Sequence, residues 1–188
     1  MKKYILLIVL GIFILQSCEK AKKKPALKSE NTSNLNAIKM HKDSAAFAWK
    51  RMMLNDDQKF NNMISLLDNI SYIPGSNEKE VKELKLLVEK TWKTRYDSTQ
   101  MTAAIVDGFD EKTSELIGKI FTLAEKTKGI EKYANVSTLQ QEIFKADNTN
   151  LMLDRAHYDK WAKNYNNLIT KEHTKSSGGS LPLFESLN

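Results

Sequence analysis

At 188 residues the chain has the length of one domain, and its 29 basic and 23 acidic residues give a formal net charge of +6. That excess is too small to demand a nucleic-acid partner, and a single cysteine excludes an intramolecular disulfide framework. Three prolines, seven glycines and no regular two-residue alternation argue against a sheet.

The first element is an export signal. Lys2 and Lys3 precede an unbroken apolar run from Tyr4 to Leu15, which matches the hydrophobic region of a secretory signal. The run is shorter than the roughly 20 residues a membrane-spanning helix needs. Leu15-Gln16-Ser17-Cys18 follows as a lipobox. Cleavage is expected before Cys18, whose thiol would take a diacylglyceryl group. A single acyl chain binds a bilayer only marginally, so two or three are needed for a stable anchor. Loss of residues 1–17 removes Lys2 and Lys3 and lowers the net charge from +6 to +4. Residues 18–43 then read as a flexible basic and polar tether. Its lysines, Lys20, Lys22, Lys23 and Lys24, suit contact with anionic headgroups and equally suit a solvated basic linker.

Residues 44–172 read as a helical domain. Pro74-Gly75-Ser76-Asn77 is a turn leading into a helix, with Asn77 as N-cap and Glu80 at the capping-box position. Gly108 and Asp110 suggest a second break, and Gly129, just after Lys126 and Lys128, a third. Between the breaks, apolar residues recur every three or four positions. Trp49, Met53, Phe60, Ile64 and Leu67 form the first stripe; Val81, Leu84, Val88, Trp92, Thr99, Ala103 and Val106 form the second. Leu116, Ile120, Leu123 and Ala124 form the third, and Val136, Leu139, Ile143 and Ala146 the fourth. Such stripes are core-facing seams. The fold class expected is all-α: an antiparallel bundle of about four long helices behind the signal peptide and tether. Residues 173–188, which include Ser176-Ser177-Gly178-Gly179-Ser180, read as a flexible C-terminal tail ending in an apolar Leu181-Pro182-Leu183-Phe184.

From Ala48 onward the order of several short blocks is similar to the LemA family. Ala48-Trp49 resembles its Ala-Trp dipeptide, Leu123-Ala124-Glu125 its Leu-x-Ala-Glu region, and Leu139-Gln140-Gln141-Glu142-Ile143 its Leu-Gln-x-x-Leu segment. The fullest match runs from Arg155 through Tyr158, Asp159 and Trp161 to Tyr165 and Asn166, with Leu183-Phe184-Glu185 as the aromatic-acidic ending. The chain departs from the family at Ile64, where a proline is usual, at Asp159, where asparagine is usual, and at Thr127-Lys128, which replaces Tyr-Pro. The stretch from Asp147 to Arg155 is one residue longer, an insertion that a π-bulge can absorb. The resemblance implies a membrane-associated bundle of long helices without an established enzymatic activity.

Catalytic chemistry has little support. His41, His157 and His173 are scattered, and His157 with Asp154 makes at most a two-ligand corner, so no metal or cofactor is expected. Asp56-Asp57 and Asp110-Glu111 read as solvated charges or helix-dipole compensation. Arg155, Tyr158, Trp161 and Tyr165 share one side of the last helix. They suit a protein-contacting surface, but helical aromatic stripes more often face a core, so rings that seal the bundle are the favoured reading. The function expected is therefore non-enzymatic: a scaffold or protein-interaction module of the bacterial cell envelope. It would be anchored by lipid on the exported side of the inner or outer membrane, facing an envelope protein or copies of itself and no nucleic acid. The alternative is an envelope lipoprotein with a small-molecule site between its helices. Ala103, Ala104, Gly118 and Ala146 would leave the space for a ligand, and Met52, Met53, Met63, Met101 and Met152 would adapt to it.

Overall fold

The computed structural model describes residues 27–98, 101–173 and 182–187. The signal sequence, Cys18 and Lys20 to Lys24 lie outside the described residues. Five α-helices are seen among these residues: α1 (Leu27–Ser71), α2 (Glu78–Trp92), α3 (Ala103–Lys126), α4 (Ala134–Lys145) and α5 (Leu151–His173). A π-helical segment, Ala146–Asn150, joins α4 to α5, so the last two form one continuous rod, and the architecture is an all-α bundle of four rods. The described residues up to Asn36 belong to a separate unit; the packing described below is that of the unit from Ala37 onward. No helix among the described residues is long and apolar enough to cross a membrane.

The ends of the rods follow from local chemistry. Asn77 caps α2: its Oδ1 accepts from the Glu80 N–H at 3.2 Å, while its Nδ2 donates to Glu80 Oε2 at 2.9 Å. Thr102 caps α3 through its Oγ1, which accepts from the Ile105 N–H at 3.3 Å. Gly75 and Gly129 turn the chain at φ of 82° and 84°, values an L side chain takes only with strain.

Alignment of the rods is antiparallel and is pinned by polar ties. Lys85 pairs with Asp68 and Arg95 with Asp57, so α2 runs back along α1. Arg51 meets Asp154, Lys59 meets Asp147 and Asn62 meets Glu142: numbers rise along α1 as they fall along the last rod.

Three expectations about the elements need correction. The tether predicted over 18–43 is helical from Leu27 on. Gly108 and Asp110 interrupt nothing, because α3 begins at the Thr102 cap and continues past both; the break lies instead between Trp92 and Thr102. The first core seam is Ala45, Ala48, Met52, Asp56, Lys59, Met63, Leu66 and Ile70, all buried. It runs beside part of the predicted stripe, whose Phe60 and Leu67 are buried as read, while Trp49, Met53 and Ile64 are only partly buried and line its edge. The third seam is fully buried as read, and the fourth buries Val136, Ile143 and Ala146. Continuity of α1 through Ile64 is what a missing proline allows.

Candidate functional site

Two of the buried seam residues of α1 are charged, and they organise the polar interior. Lys59 has no exposed side-chain surface; its Nζ lies 3.1 Å from Asp147 Oδ1 and 3.3 Å from Asp56 Oδ1. Asp147 stands on the π segment, and its second oxygen accepts from Ser114 Oγ at 2.9 Å. The neighbouring backbone is tied to the same place, since Asn55 Nδ2 donates to the Ala146 carbonyl at 3.0 Å and its Oδ1 accepts from Asn150 at 3.1 Å. A π-turn widens the helix locally. Here the wider turn places Asp147 between Lys59 of α1 and Ser114 of α3. The π-bulge expected between Asp147 and Arg155 thus lies at Ala146–Asn150.

Next to it, Arg155 reaches Asp107 at 2.6 Å and Asp110 at 3.3 Å. Asp56, Asp107, Asp110 and Asp147 therefore share two cations, Lys59 and Arg155. Apart from the Lys59 contact to Asp56 Oδ1, the oxygens of Asp56, one oxygen of Asp110 and the Tyr96 hydroxyl are buried without a hydrogen-bond partner. Burial, aided by the charges of Asp56 and Asp147, pushes the Asp110 carboxyl up to about 7 against the pull of Lys59 and Arg155. Burial also raises Asp56, and Lys59 offsets only part of the rise. The expectation that Asp56 and Asp110 are solvated is corrected: they lie 1% and 9% exposed within a packed interior. What could have revealed them is spacing. Asp56 and Lys59 continue the three- and four-residue rhythm of Ala45, Ala48 and Met52.

The stripe on the last rod is likewise not a free surface. Tyr158 and Tyr165 are each 2% exposed, Arg155 faces the carboxylates, and Trp161 is half-buried. Tyr158 packs into the core against Trp49 of α1, 6.2 Å between ring centres, and the chain's own C-terminal segment covers both tyrosines from the other side. Phe184 packs edge-on against Tyr165 at 5.0 Å and Tyr158 at 6.3 Å between ring centres. Leu187 is buried. Asn166 takes both main-chain groups of Phe184, accepting from its N–H at 2.9 Å and donating to its carbonyl at 2.8 Å. Asp159 accepts from the Leu187 N–H at 2.7 Å, and Arg155 donates to the Leu187 carbonyl at 2.7 Å. Burial, with the charges of Asp159 and of Glu185 on the segment itself, raises the Tyr158 phenol. The flexible tail predicted over 173–188 is thus corrected at Phe184 and Leu187, whose main-chain groups and side chains are held on α5, while Leu183 stays exposed; residues 174–181 lie outside the described residues.

An open apolar face remains between α1 and α5. A groove of about 590 Å³ is lined by Met40, Phe47, Arg51, His157, Lys160 and Trp161, among others. Met40, Phe47 and Leu54 recur at seven-residue intervals along α1 and are 52%, 64% and 55% exposed, an apolar ridge on a helix otherwise polar on that side. Asp154 is paired with Arg51 at 2.5 Å, and His157 lines the groove. Among the described residues no three potential metal ligands are grouped. The residues named for a ligand cavity are dispersed. Ala104 and Gly118 are exposed, Met152 is exposed, and Met52 and Met63 are packed in the core. Only Met101 among them lines the apolar cavity of about 270 Å³ bounded by Ala45, Trp49, Tyr158 and Phe184.

Compared with family models, with curated proteins and with solved structures, the chain finds no match.

Proposed function

We propose that the protein is a lipid-anchored, non-enzymatic interaction module of the bacterial cell envelope, built on a LemA-like helical bundle. The anchor is Cys18, at the end of Leu15-Gln16-Ser17-Cys18. The observation that carries the interaction reading is the ridge Met40, Phe47 and Leu54 beside the groove that Trp161 helps to line. Large apolar side chains at heptad spacing on an exposed helix are costly to leave in water, and grooves of this form accept the apolar face of another helix. Arg51, His157 and Lys160 border the groove with a single acidic lining residue, Asp43. The partner this face fits is an amphipathic helix of an envelope protein, seated by its apolar side.

The anchor is tested by intact mass on membrane-extracted protein, wild type beside Cys18→Ala. The expected product begins at residue 18 and carries acyl chains; an uncleaved, unlipidated chain refutes the anchor. The interaction is tested by photocrosslinking in membranes from position 47. A specific envelope protein that is recovered with the native chain and lost with Phe47→Asp supports the reading, and an unchanged crosslinking pattern rejects it.

A further inference from the structure

The contacts between α5 and the C-terminal segment have the form of a peptide-recognition site. Three side chains of one helix, Arg155, Asp159 and Asn166, reach four main-chain groups, the N–H and carbonyl of Phe184 and of Leu187. Two side chains, three positions apart, supply the apolar anchors: Phe184 on the Tyr158 and Tyr165 rings, and Leu187 buried beyond them. Main-chain capture fixes the path of a segment, and side-chain pockets select its sequence. The seat would therefore choose an aromatic-x-x-Leu segment, and it would read that segment the same way whichever molecule carried it. Nothing in these contacts uses the covalent connection through residues 174–181.

We propose that α5 is a docking seat for this segment and that the Phe184–Leu187 segment of one copy enters the seat of a second copy. The fit of the occupant is already on view within one chain, which makes a second copy the partner best matched to the seat. Exchange of an identical element between protomers is a low-cost route to association, because the interactions formed between copies reproduce those within a single chain. The balance between own and neighbouring segment then depends on local concentration, and it shifts toward exchange where copies are crowded on one surface. The inference does not depend on the lipid anchor or on the groove beside α1, since its seat lies on a different set of residues.

The test uses two full-length variants. Phe184→Ser/Leu187→Ser carries an intact seat and a disabled segment; Asp159→Ala/Asn166→Ala carries an intact segment and a disabled seat. Mixed with separate fluorophores, the two should associate, with energy transfer rising as concentration is raised, while either alone should show at least ten-fold less. Transfer should vanish when the segment substitutions are added to the seat variant. No association in the mixture, or association that survives in the combined variant, overturns the proposal. A second measurement does not require the two variants to associate with each other. A labelled synthetic peptide of residues 181–188 is titrated against Phe184→Ser/Leu187→Ser, whose seat its own segment no longer fills, and against the same chain with Asp159→Ala/Asn166→Ala added, both with wild-type circular dichroism. Binding weakened at least ten-fold by the seat substitutions upholds the seat, and equal or absent binding to both refutes it.

Discussion

Replacing Lys59 by methionine should destabilise the bundle severely, although Met fills nearly the same volume. Lys59 is fully buried and stands between Asp56, 1% exposed at its side chain, and Asp147, 10% exposed. Removing one partner of a buried ion pair typically costs about 3–5 kcal/mol, because the remaining charge keeps its desolvation penalty and loses its compensation. Two carboxylates are left here, so the upper part of that range is expected at neutral pH. For a chain of this length each kcal/mol lowers the midpoint by roughly 2–4 °C, giving a fall on the order of 10–20 °C. Urea denaturation followed by circular dichroism gives the free energy directly. The cause is isolated by a rescue: Lys59→Met/Asp56→Asn/Asp147→Asn removes the stranded charges and should recover most of the loss. A cost under about 1 kcal/mol, the level of an exposed pair, would refute the reasoning, and so would a triple variant no more stable than Lys59→Met alone.

Asp110 gives the interior a pH dependence of definite sign. Its carboxyl is raised from 3.8 to about 7, so the folded chain keeps that proton over a range where the unfolded chain has lost it. The stabilisation is complete below about 4 and is lost as pH rises through about 7; Asp110→Asn should flatten the fall in stability across that window, and an unchanged slope in urea titrations at several pH values would contradict the assignment. Gly129→Ala should cost about 1–2 kcal/mol, the strain of placing a side chain at φ of 84°, and a melting midpoint equal to wild type would reject it. Tyr158→Phe should leave stability within about 0.5 kcal/mol of wild type or raise it, because the hydroxyl is buried without a partner while the ring contacts are kept; a larger loss by denaturant titration would reveal a bond that the hydroxyl does make.

The sequence pattern was most informative where apolar residues alone define a helix face. Leu116, Ile120, Leu123 and Ala124 are buried as a unit, and Asn77 and Glu80 form the cap their spacing implies. It misled where the core is charged. On α1 the buried seam passes through Asp56 and Lys59, so a reading by hydrophobicity shifts one residue sideways onto Trp49 and Met53, which are only partly buried. Asp110 was hidden for a related reason. Its acidic neighbour Glu111 is exposed, and what makes burial tolerable is the approach of Lys59 and of Arg155, both distant in sequence. Such pairings depend on which rods meet, and local pattern does not contain that information.

The aromatic stripe on the last rod shows how a correct grouping can carry an incomplete meaning. Arg155, Tyr158 and Tyr165 do act together, and what they contact is a peptide segment, but it belongs to the same chain. A serine- and glycine-rich approach to that segment reads as spacer, while the two residues that matter, Phe184 and Leu187, occupy too short a stretch to show a period. Their docking also links the two polar systems. Arg155 holds Asp107 and Asp110 with the same guanidinium that donates to the Leu187 carbonyl. Ionisation of Asp110 strengthens its pull on Arg155, so loading of the seat and the charge of the interior bear on one side chain. It follows that Asp110→Asn, which removes that pull, should alter occupancy of the seat as well as stability. Amide exchange at Leu187 reads it directly, and identical protection in wild type and variant across pH 5 to 8 would separate the two systems.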